Sequence, residues 1–384
     1  MEALLGAASV RNAFDRILRL SREGVADDGF LAELSRQLRE IVPFDASFWS
    51  GIDSVTLLAT SPSRIENIYS DNKCYSYWEN EFLVQDVNDF RVLARAAKPA
   101  ATLYRATDGH PARSFRYRNL NEPRGLGDEL RCMFRTGRGT WGFVCLWRGE
   151  GAQPFSPAEE RLLCALSSPV GDAFRRSALL RSGAAVTLPD APGLLMFDRA
   201  GVLESLNDPA EAWLRELPCT HIDRDNSLAV PIPIELLTVA NQAQAIAAGH
   251  DGGTARARLL SRTGRWLVVH GFALREADAQ GGRTALVIEA ATTTEMTPII
   301  VEAYQLGPRE QQVTRMVARG LSTAEIAVRL SLSTHTIRDY LKQVFEKVAV
   351  STRGELVAKI FAEHYEQPLN AAMQVDLPGA HDPT

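Results

Sequence analysis

The residues with the clearest capacity for chemistry are two basic side chains, Arg338 and Lys342, in the stretch STHTIRDYLKQVFEKV. They stand four positions apart, so a helix with about 100° per residue places them one turn apart on the same face. The same helix turns its apolar residues inward, namely Ile337, Leu341, Val344, Phe345 and Val348. Arginine and lysine in this arrangement can donate hydrogen bonds to guanine edges or to phosphates in a major groove. The alternative is an amphipathic helix whose charged face only meets solvent.

Four short helices, each with its own capping signal, are predicted around this pair. Ser333 can cap the basic helix, and Ser322 with Glu325 three residues later predicts a capping box for the helix before it. The other signals are Pro308 at the start of an earlier helix, Gly320 as its left-handed end, and Thr352 paired with Glu355. A turn of only two or three residues joins the second helix to the third. This is the layout of a helix-turn-helix unit.

The segment resembles the LuxR-type DNA-binding domain. Over about 55 residues, the positions that carry the resemblance are Pro308-Arg309-Glu310, Ala324-Glu325-Ile326-Ala327, Leu330, Ser333, Thr336-Ile337, Lys347 and Arg353-Gly354-Glu355-Leu356. The resemblance implies that Arg338, Asp339 and Lys342 contact bases of double-stranded DNA. It also implies that a fourth helix, at about 352–361, contributes to a homodimer.

The predicted DNA-binding set also contains Ser333, Thr334, His335 and Thr336. Thr336 and the amide end of the helix after Ser333 are suited to phosphate. Asp339 would repel phosphate, so we expect it to accept a hydrogen bond from cytosine or to orient Arg338.

Three positions depart from the family pattern. Tyr340 stands where the family often has histidine, and Arg338 where lysine is frequent, so the family's target sequences do not transfer. Ala349 replaces a frequent glycine, and a left-handed backbone there would cost about 1 kcal/mol.

Charge is distributed unevenly along the chain. The net charge is −5, yet residues 306–361 contain nine Lys or Arg and five Asp or Glu. A small basic end on an acidic body favours a local polyanion contact over a surface coated for nucleic acid.

The first region, residues 1–182, resembles a GAF domain, a sheet-centred sensor of small molecules. The order of predicted elements supports this: a helix near 28–41, strands, aromatic helices, a hairpin over GDELRCMFRTGRGTWGFVCLWR, and a helix capped by Ser156 and Glu159. Five aromatic residues are predicted to line a ligand cavity: Trp49, Tyr75, Trp78, Phe82 and Phe90. The alternative is that the same rings form an ordinary core.

The second region, residues 183–295, resembles a PAS domain, with Asn207 where that family often has asparagine. Residues 296–365 are assigned to the helix-turn-helix domain and 366–384 to a loose tail. The three resemblances in this order are typical of a group of actinobacterial regulators. The expected fold class is α+β: two antiparallel sheet domains followed by an all-α four-helix domain.

Several classes of function are not supported by the pattern. The five cysteines are scattered without a close pair, which argues against a zinc site or disulfide framework and favours a reducing cytoplasm. No catalytic grouping, phosphate-binding glycine loop or HExxH motif is found, so we expect neither an enzyme nor a metal or other cofactor. No apolar run approaches the roughly 18 residues that span a bilayer.

These observations predict a cytoplasmic, sequence-specific transcriptional regulator whose sensor domains respond to a small molecule or a partner protein. Its expected partners are double-stranded DNA and a second copy of itself, with RNA polymerase as a further candidate. Two alternatives remain open: a ligand-independent regulator whose GAF-like and PAS-like domains only dimerise, and a quorum-type receptor for an acyl signal.

Overall fold

Two five-stranded antiparallel sheets form most of the first part of the chain. The computed structural model describes residues 8–68, 74–137, 139–179, 191–218, 222–223, 228, 230–275, 282–357 and 359. The chain divides into two compact units, Met1–Ala291 and Thr292–Thr384. No helix among the described residues is both long and apolar enough to cross a membrane.

The first sheet has the strand order β2-β1-β5-β4-β3 and is flanked by helices. In chain order its elements are α1 (Ala8–Glu23), α2 (Asp28–Arg39), β1 (Ala46–Ile52), β2 (Ala59–Glu66), α3 (Cys74–Leu83), α4 (Phe90–Arg95), β3 (Ala100–Thr102), α5 (Leu103–Ala106), β4 (Leu126–Thr136), β5 (Gly139–Gly149) and α6 (Pro157–Leu179). Short 3₁₀ and π turns lie between residues 111 and 124. The predicted hairpin is confirmed, since β4 and β5 pair antiparallel.

Local signals explain where these helices begin. Asp27 accepts a hydrogen bond from the Phe30 amide at 2.7 Å and so caps α2. Glu159 accepts from the Ser156 amide at 2.8 Å, and the Glu159 amide donates to the Ser156 hydroxyl at 3.3 Å. The predicted capping box of α6 is therefore confirmed.

The two faces of the first sheet are both buried but have different neighbours. On one face Trp49 stacks on Phe134, which stacks on Phe174 of α6. Gly142 lies in this layer, and a Cβ there would come within 2.8 Å of the Phe174 ring, so a larger residue does not fit. The other face carries Phe48 and Phe143, which pack against α3 and α4.

The second sheet has the strand order β10-β11-β12-β6-β7. The elements of this region are β6 (Gly193–Phe197), β7 (Leu203–Leu206), α7 (Asp208–Glu216), β8 (Ile222–Asp223), β9 (Ile232–Pro233), α8 (Ile234–Ala247), β10 (Arg256–Leu260), β11 (Trp266–Ala273) and β12 (Thr284–Ala290). Strands β8 and β9 form a separate small pair. Asn207 caps α7, since its side chain accepts from the Ala210 amide at 3.0 Å. It also accepts from the Leu194 amide at 2.8 Å and so ties the helix to the sheet.

The two sheets share one hydrophobic core, with α8 between them. Asp53 and Arg258 form a fully buried ion pair at 2.7 Å, although they are 205 residues apart. Buried Glu235 of α8 accepts a hydrogen bond from Ser63 of β2 at 2.6 Å. These contacts explain why residues up to Ala291 form one unit. The domain boundary at 182/183 stays a prediction.

The second unit is helical in its described part. It contains α9 (Thr293–Ala303), α10 (Pro308–Ala318), α11 (Thr323–Leu330), α12 (Thr334–Val348) and α13 (Arg353–Val357). Two antiparallel sheets followed by a helical segment confirm the predicted α+β class.

Candidate nucleic-acid interface and ligand cavity

The turn between α11 and α12 is fixed by hydrogen bonds at both helix ends. Glu325 accepts from the Ser322 amide at 2.7 Å, and the Glu325 amide donates to Ser322 Oγ at 3.3 Å. Ser331 then adopts a left-handed backbone with φ 53°, which ends α11. Ser333 accepts from the Thr336 amide at 3.0 Å and starts α12. The predicted capping box and the predicted cap of the basic helix are both confirmed.

A small core holds α12 against its neighbours. The buried apolar residues of these helices are Val313, Val317, Ile326, Ala327, Ile337, Leu341, Val344, Val348 and Leu356. Phe345, which the helical periodicity also places inward, is only half-buried. The apolar side of α12 thus packs against the neighbouring helices, and this packing fixes the orientation of α12 in the unit.

Two basic residues, Lys347 and Arg353, also tie the ends of this unit together by hydrogen bonds that were not predicted. Lys347 near the end of α12 donates to Glu310 at 2.7 Å and to the carbonyl oxygen of Gln305 at 3.1 Å. Glu310 is buried and also accepts from the Gly307 amide, so it caps α10. Arg353 donates to the carbonyl oxygen of Leu321. The available signal was that Glu310, Lys347 and Arg353 are among the positions that carry the family resemblance.

The opposite side of α12 is exposed and carries the predicted DNA-contacting side chains. Arg338 and Lys342 are both exposed, and neither forms an ion pair with any residue in the described part of the chain. Ser333, Thr334 and His335 are exposed at the start of the helix, whereas Thr336 is half-buried. Thr336 Oγ1 lies 2.9 Å from Ser333 Oγ. All seven residues of the predicted set therefore lie along one helix, and six of them are exposed.

Asp339 has a partner on its own helix that was not predicted. Its Oδ2 lies 3.0 Å from His335 Nδ1, one turn earlier on the same face. Asp339 therefore contacts His335 and not Arg338. An exposed pair of this kind contributes little to stability, so a base could displace it at small cost.

Ala349 has the left-handed conformation for which the family often uses glycine. Its φ is 54° and its ψ is 58°, directly after the last residue of α12. The conditional expectation from the sequence is met, and the strain amounts to about 1 kcal/mol.

The predicted ligand-binding residues divide between the two faces of the first sheet. Trp78 contacts Phe82 and Phe90, with ring centroids 5.9 Å and 6.4 Å apart. Trp49 lies on the other face, against Phe134. Tyr75 belongs to α3, but its side chain lies outside the described residues. The structure therefore brings three of the five residues together and separates Trp49 from them.

A cavity of about 280 Å³ opens beside these three rings. Phe143 and the charged groups Glu81, Asp89 and Arg91 also line it. His250 and Asp251, in the loop between α8 and β10, also line it. The charged lining was missed at the sequence level, because residues 160 positions apart meet only through packing of the two sheets.

A buried charge network lies behind the rings. Glu129 accepts from Arg116 at 3.0 Å and from Arg131 at 2.8 Å, and Arg131 also donates to Glu81 at 2.7 Å. Burial alone would raise the pKa of Glu129, but the two guanidinium groups more than offset this and lower that pKa. Burial raises the pKa of Asp89 to about 7, and the negative charge of Glu81 adds to the rise. The neighbouring guanidinium groups therefore do not fully offset the burial of Asp89.

Comparison with known proteins bears on the second unit. Residues 304–360 match the model of the luxR family of bacterial regulatory proteins. The chain is 38% identical over 64 residues to the transcriptional regulatory protein DesR of Bacillus subtilis (strain 168), covering 17% of this chain and 32% of DesR. It is 35% identical over 54 residues to the probable HTH-type transcriptional regulator GfsR of Streptomyces halstedii, covering 14% of this chain and 22% of GfsR. The chain thus spans at most about a third of the length of these two relatives.

Among solved structures, Escherichia coli SdiA aligns over 90% of this chain and 94% of its own, with 11% identity and a TM-score of 0.31. A TM-score this low does not establish a common fold. The family match covers the helices described above and confirms the resemblance of the C-terminal segment. Residues 304–360 are a LuxR-type helix-turn-helix domain.

Proposed function

We propose that the protein is a sequence-specific DNA-binding transcriptional regulator in which α12 enters the major groove. The observation that carries this is the exposed face of α12, where Arg338 and Lys342 project without ion-pair partners among the described residues. Base edges and phosphates supply the acceptors that these donors lack. The match of residues 304–360 to the luxR family supports the same function.

The start of α12 supplies a second class of contact. Ser333, Thr334 and His335 are exposed there, beside the amide end of the helix. The helix dipole and free amide groups favour a phosphate at this end. We assign phosphate contacts to this end and base contacts to Arg338, Asp339 and Lys342.

The regulator acts as a homodimer on DNA, since one module of this size buries too little surface for a tight specific site. Two modules related by a two-fold axis would contact half-sites about one helical turn apart. Helix α13 and the residues after it are the proposed pairing element. We further propose that the protein works in the cytoplasm and has no enzymatic activity. RNA polymerase is a candidate partner through which the DNA-bound protein acts on transcription.

The first unit serves as the sensor of a small molecule. The supporting observation is the cavity of about 280 Å³ beside Trp78, Phe82 and Phe90. An occupant would contact α3, α4 and the loop after α8 at once. A unit used only for dimerisation would not require such a cavity. Ligand-independent dimerisation is therefore the second candidate for the role of this unit.

The function is tested by selecting binding sites for the full-length protein from random DNA and footprinting the enriched sequence. The expected footprint is two related half-sites in two-fold arrangement, about 10 base pairs from centre to centre. A double variant, Arg338→Ala with Lys342→Ala, should lose the selected site. Arg215→Ala, which removes an exposed charge from α7 in the first unit, is the matched control and should retain it. No enrichment, or equal binding by the double variant, would overturn the proposal.

A further inference from the structure

The cavity beside α3 and α4 combines two kinds of lining that are seldom adjacent. Four aromatic rings, those of Trp78, Phe82, Phe90 and Phe143, form its apolar part. Three carboxylates, those of Glu81, Asp89 and Asp251, face the same space with only one guanidinium group, that of Arg91.

Most of these charged atoms already have partners. Glu81 accepts from the Phe90 amide at 2.6 Å with one oxygen and from Arg131 at 2.7 Å with the other. Asp251 forms an ion pair with Arg91, which also donates to Gln242 at 2.8 Å. Neither of these carboxylates is therefore free for an occupant.

Asp89 is different. Its Oδ1 is shielded from solvent and has no hydrogen-bond donor among the described residues. The nearest cation is Arg116, whose Nη1 lies 3.9 Å away, beyond hydrogen-bond reach. The indole Nε1 of Trp78, a residue only 2% exposed, also lacks an acceptor among the described residues. Two polar atoms that are closed to solvent, on residues that line the same cavity, thus have no hydrogen-bond partner among the described residues.

The charges around the cavity indicate which sign of charge a bound ligand would carry. The connected network contains the carboxylates of Glu81, Asp86, Asp89 and Glu129 and the guanidinium groups of Arg116 and Arg131, and the Arg91–Asp251 pair beside it is balanced. Carboxylates outnumber guanidinium groups by two. An anionic ligand would face this excess directly, and a neutral apolar ligand would leave the excess unchanged.

A metal ion fits the lining less well than an organic cation. The described residues contain no group of three or more His, Cys, Asp or Glu side chains placed to hold a metal. Aromatic faces next to a carboxylate instead suit an ammonium group, which the ring quadrupoles attract. Phe82 already has this contact with Arg91, whose guanidinium carbon lies 5.1 Å from the ring centroid.

We propose that the cavity binds a small organic ammonium ion, with its charge beside Asp89 and its carbon skeleton among the rings of Trp78, Phe82 and Phe90. This inference deepens the sensor part of the proposed function and rests on it. The volume of about 280 Å³ restricts the ligand to a small molecule, such as an aryl-alkyl or quaternary amine. Because His250 and Asp251 reach the cavity from the loop after α8, such a ligand would contact this loop as well as α3 and α4.

The test uses the full-length protein at pH 8, where Asp89 is ionised, with two pairs of probes of similar shape. Benzylammonium is compared with benzyl alcohol, and choline with 3,3-dimethylbutan-1-ol, by calorimetry and by thermal unfolding followed through tryptophan emission. At least one cation should bind at least tenfold more tightly than its neutral counterpart. At a hundredfold excess over its Kd it should also raise the Tm, because it binds only the folded state.

Two variants complete the experiment. Asp89→Asn should weaken binding of the cation at least tenfold, while Asp108→Asn, which removes an exposed carboxylate outside the cavity, should leave it unchanged. If neither cation binds, if the neutral probes bind equally well, or if Asp89→Asn binds like the unaltered protein, the inference is wrong. Gel retardation of the same preparations keeps the two proposals separate, since lost DNA binding counts against the regulator and not against the ammonium site.

Discussion

The exposed face of α12 and the cavity of the first unit use the same residue types in opposite ways. On α12, Arg338 and Lys342 are exposed and have no ion-pair partner among the described residues. Around the cavity, Arg116 and Arg131 are buried with side-chain exposures of 2% and 1%, and each is paired with Glu129. An exposed cation with no partner is available to a ligand, whereas a buried and paired cation is part of the structure. The difference teaches that burial and pairing, not residue type, separate a binding surface from a scaffold.

The largest expected effect comes from a substitution in the buried charge network. Arg131→Met leaves Glu81 and Glu129 without a cation that they share, so it should lower the free energy of unfolding by about 3–5 kcal/mol. Urea unfolding followed by tryptophan emission measures this, since all six tryptophans lie between residues 49 and 266, in the first unit.

The matched change on the exposed side is Arg338→Met, which should alter stability by less than about 0.5 kcal/mol. Adding Glu81→Gln and Glu129→Gln to Arg131→Met should recover part of the loss, because the unpaired charges are then removed. Equal effects of the two arginine substitutions would contradict the distinction between the two regions.

The next largest effect is that the stability of the first unit depends on pH through the titration of Asp89. Its pKa is about 7 in the folded protein, against about 3.9 for an unfolded chain. The raised value means that Asp89 contributes stability below about pH 4 and that this contribution is lost as the pH rises through 7. Because the side chain is partly exposed, we expect a loss of about 1–2 kcal/mol, less than the full shift implies.

Asp89→Asn should remove this part of the pH dependence. The variant should gain stability relative to the unaltered protein at pH 8, and the gain should shrink at pH 5. Urea titrations at both pH values compare the two proteins, with Asp108→Asn as the control. A constant difference between pH 5 and 8 would show that Asp89 does not titrate in this interval.

The smallest expected effect concerns the left-handed residue at the end of α12. Ala349→Gly should stabilise the helix-turn-helix unit by about 1 kcal/mol, because glycine adopts the left-handed backbone without strain. Ala324→Gly, at an exposed helical position of α11, should destabilise the unit by about 0.5–1 kcal/mol. Amide hydrogen exchange in residues 308–357 measures both. Destabilisation by Ala349→Gly would mean that the turn has another conformation in solution.

The sequence was most informative where short-range chemistry decides the structure. The caps at Ser333, at Ser322 with Glu325, and at Ser156 with Glu159 were all predicted, because each involves a side chain and an amide at most three residues apart. The hairpin of β4 and β5 was predicted for the same reason, since a two-residue connection fixes its register.

Contacts between distant residues were not predictable in this way. The pairing of Asp53 with Arg258 spans 205 residues and depends on how the two sheets pack. The placement of Phe48 and Trp49 on opposite faces of the first sheet could nevertheless be predicted from the sequence. The two residues are adjacent in β1, and neighbouring residues in a strand point to opposite faces. Trp49 could therefore have been assigned to the face opposite the cavity.

The central claim, that α12 contacts base edges, is tested most directly by the specificity of Arg338→Ala and Lys342→Ala on the selected DNA site. For each variant, affinity for that site and for unrelated DNA is measured over a series of salt concentrations. The account predicts a loss of about 1–3 kcal/mol of discrimination for at least one variant, with preference relaxed at one base position. If both variants instead weaken binding to all sequences alike and only lower the salt dependence by about one unit each, α12 contacts phosphate alone, and the claim is contradicted.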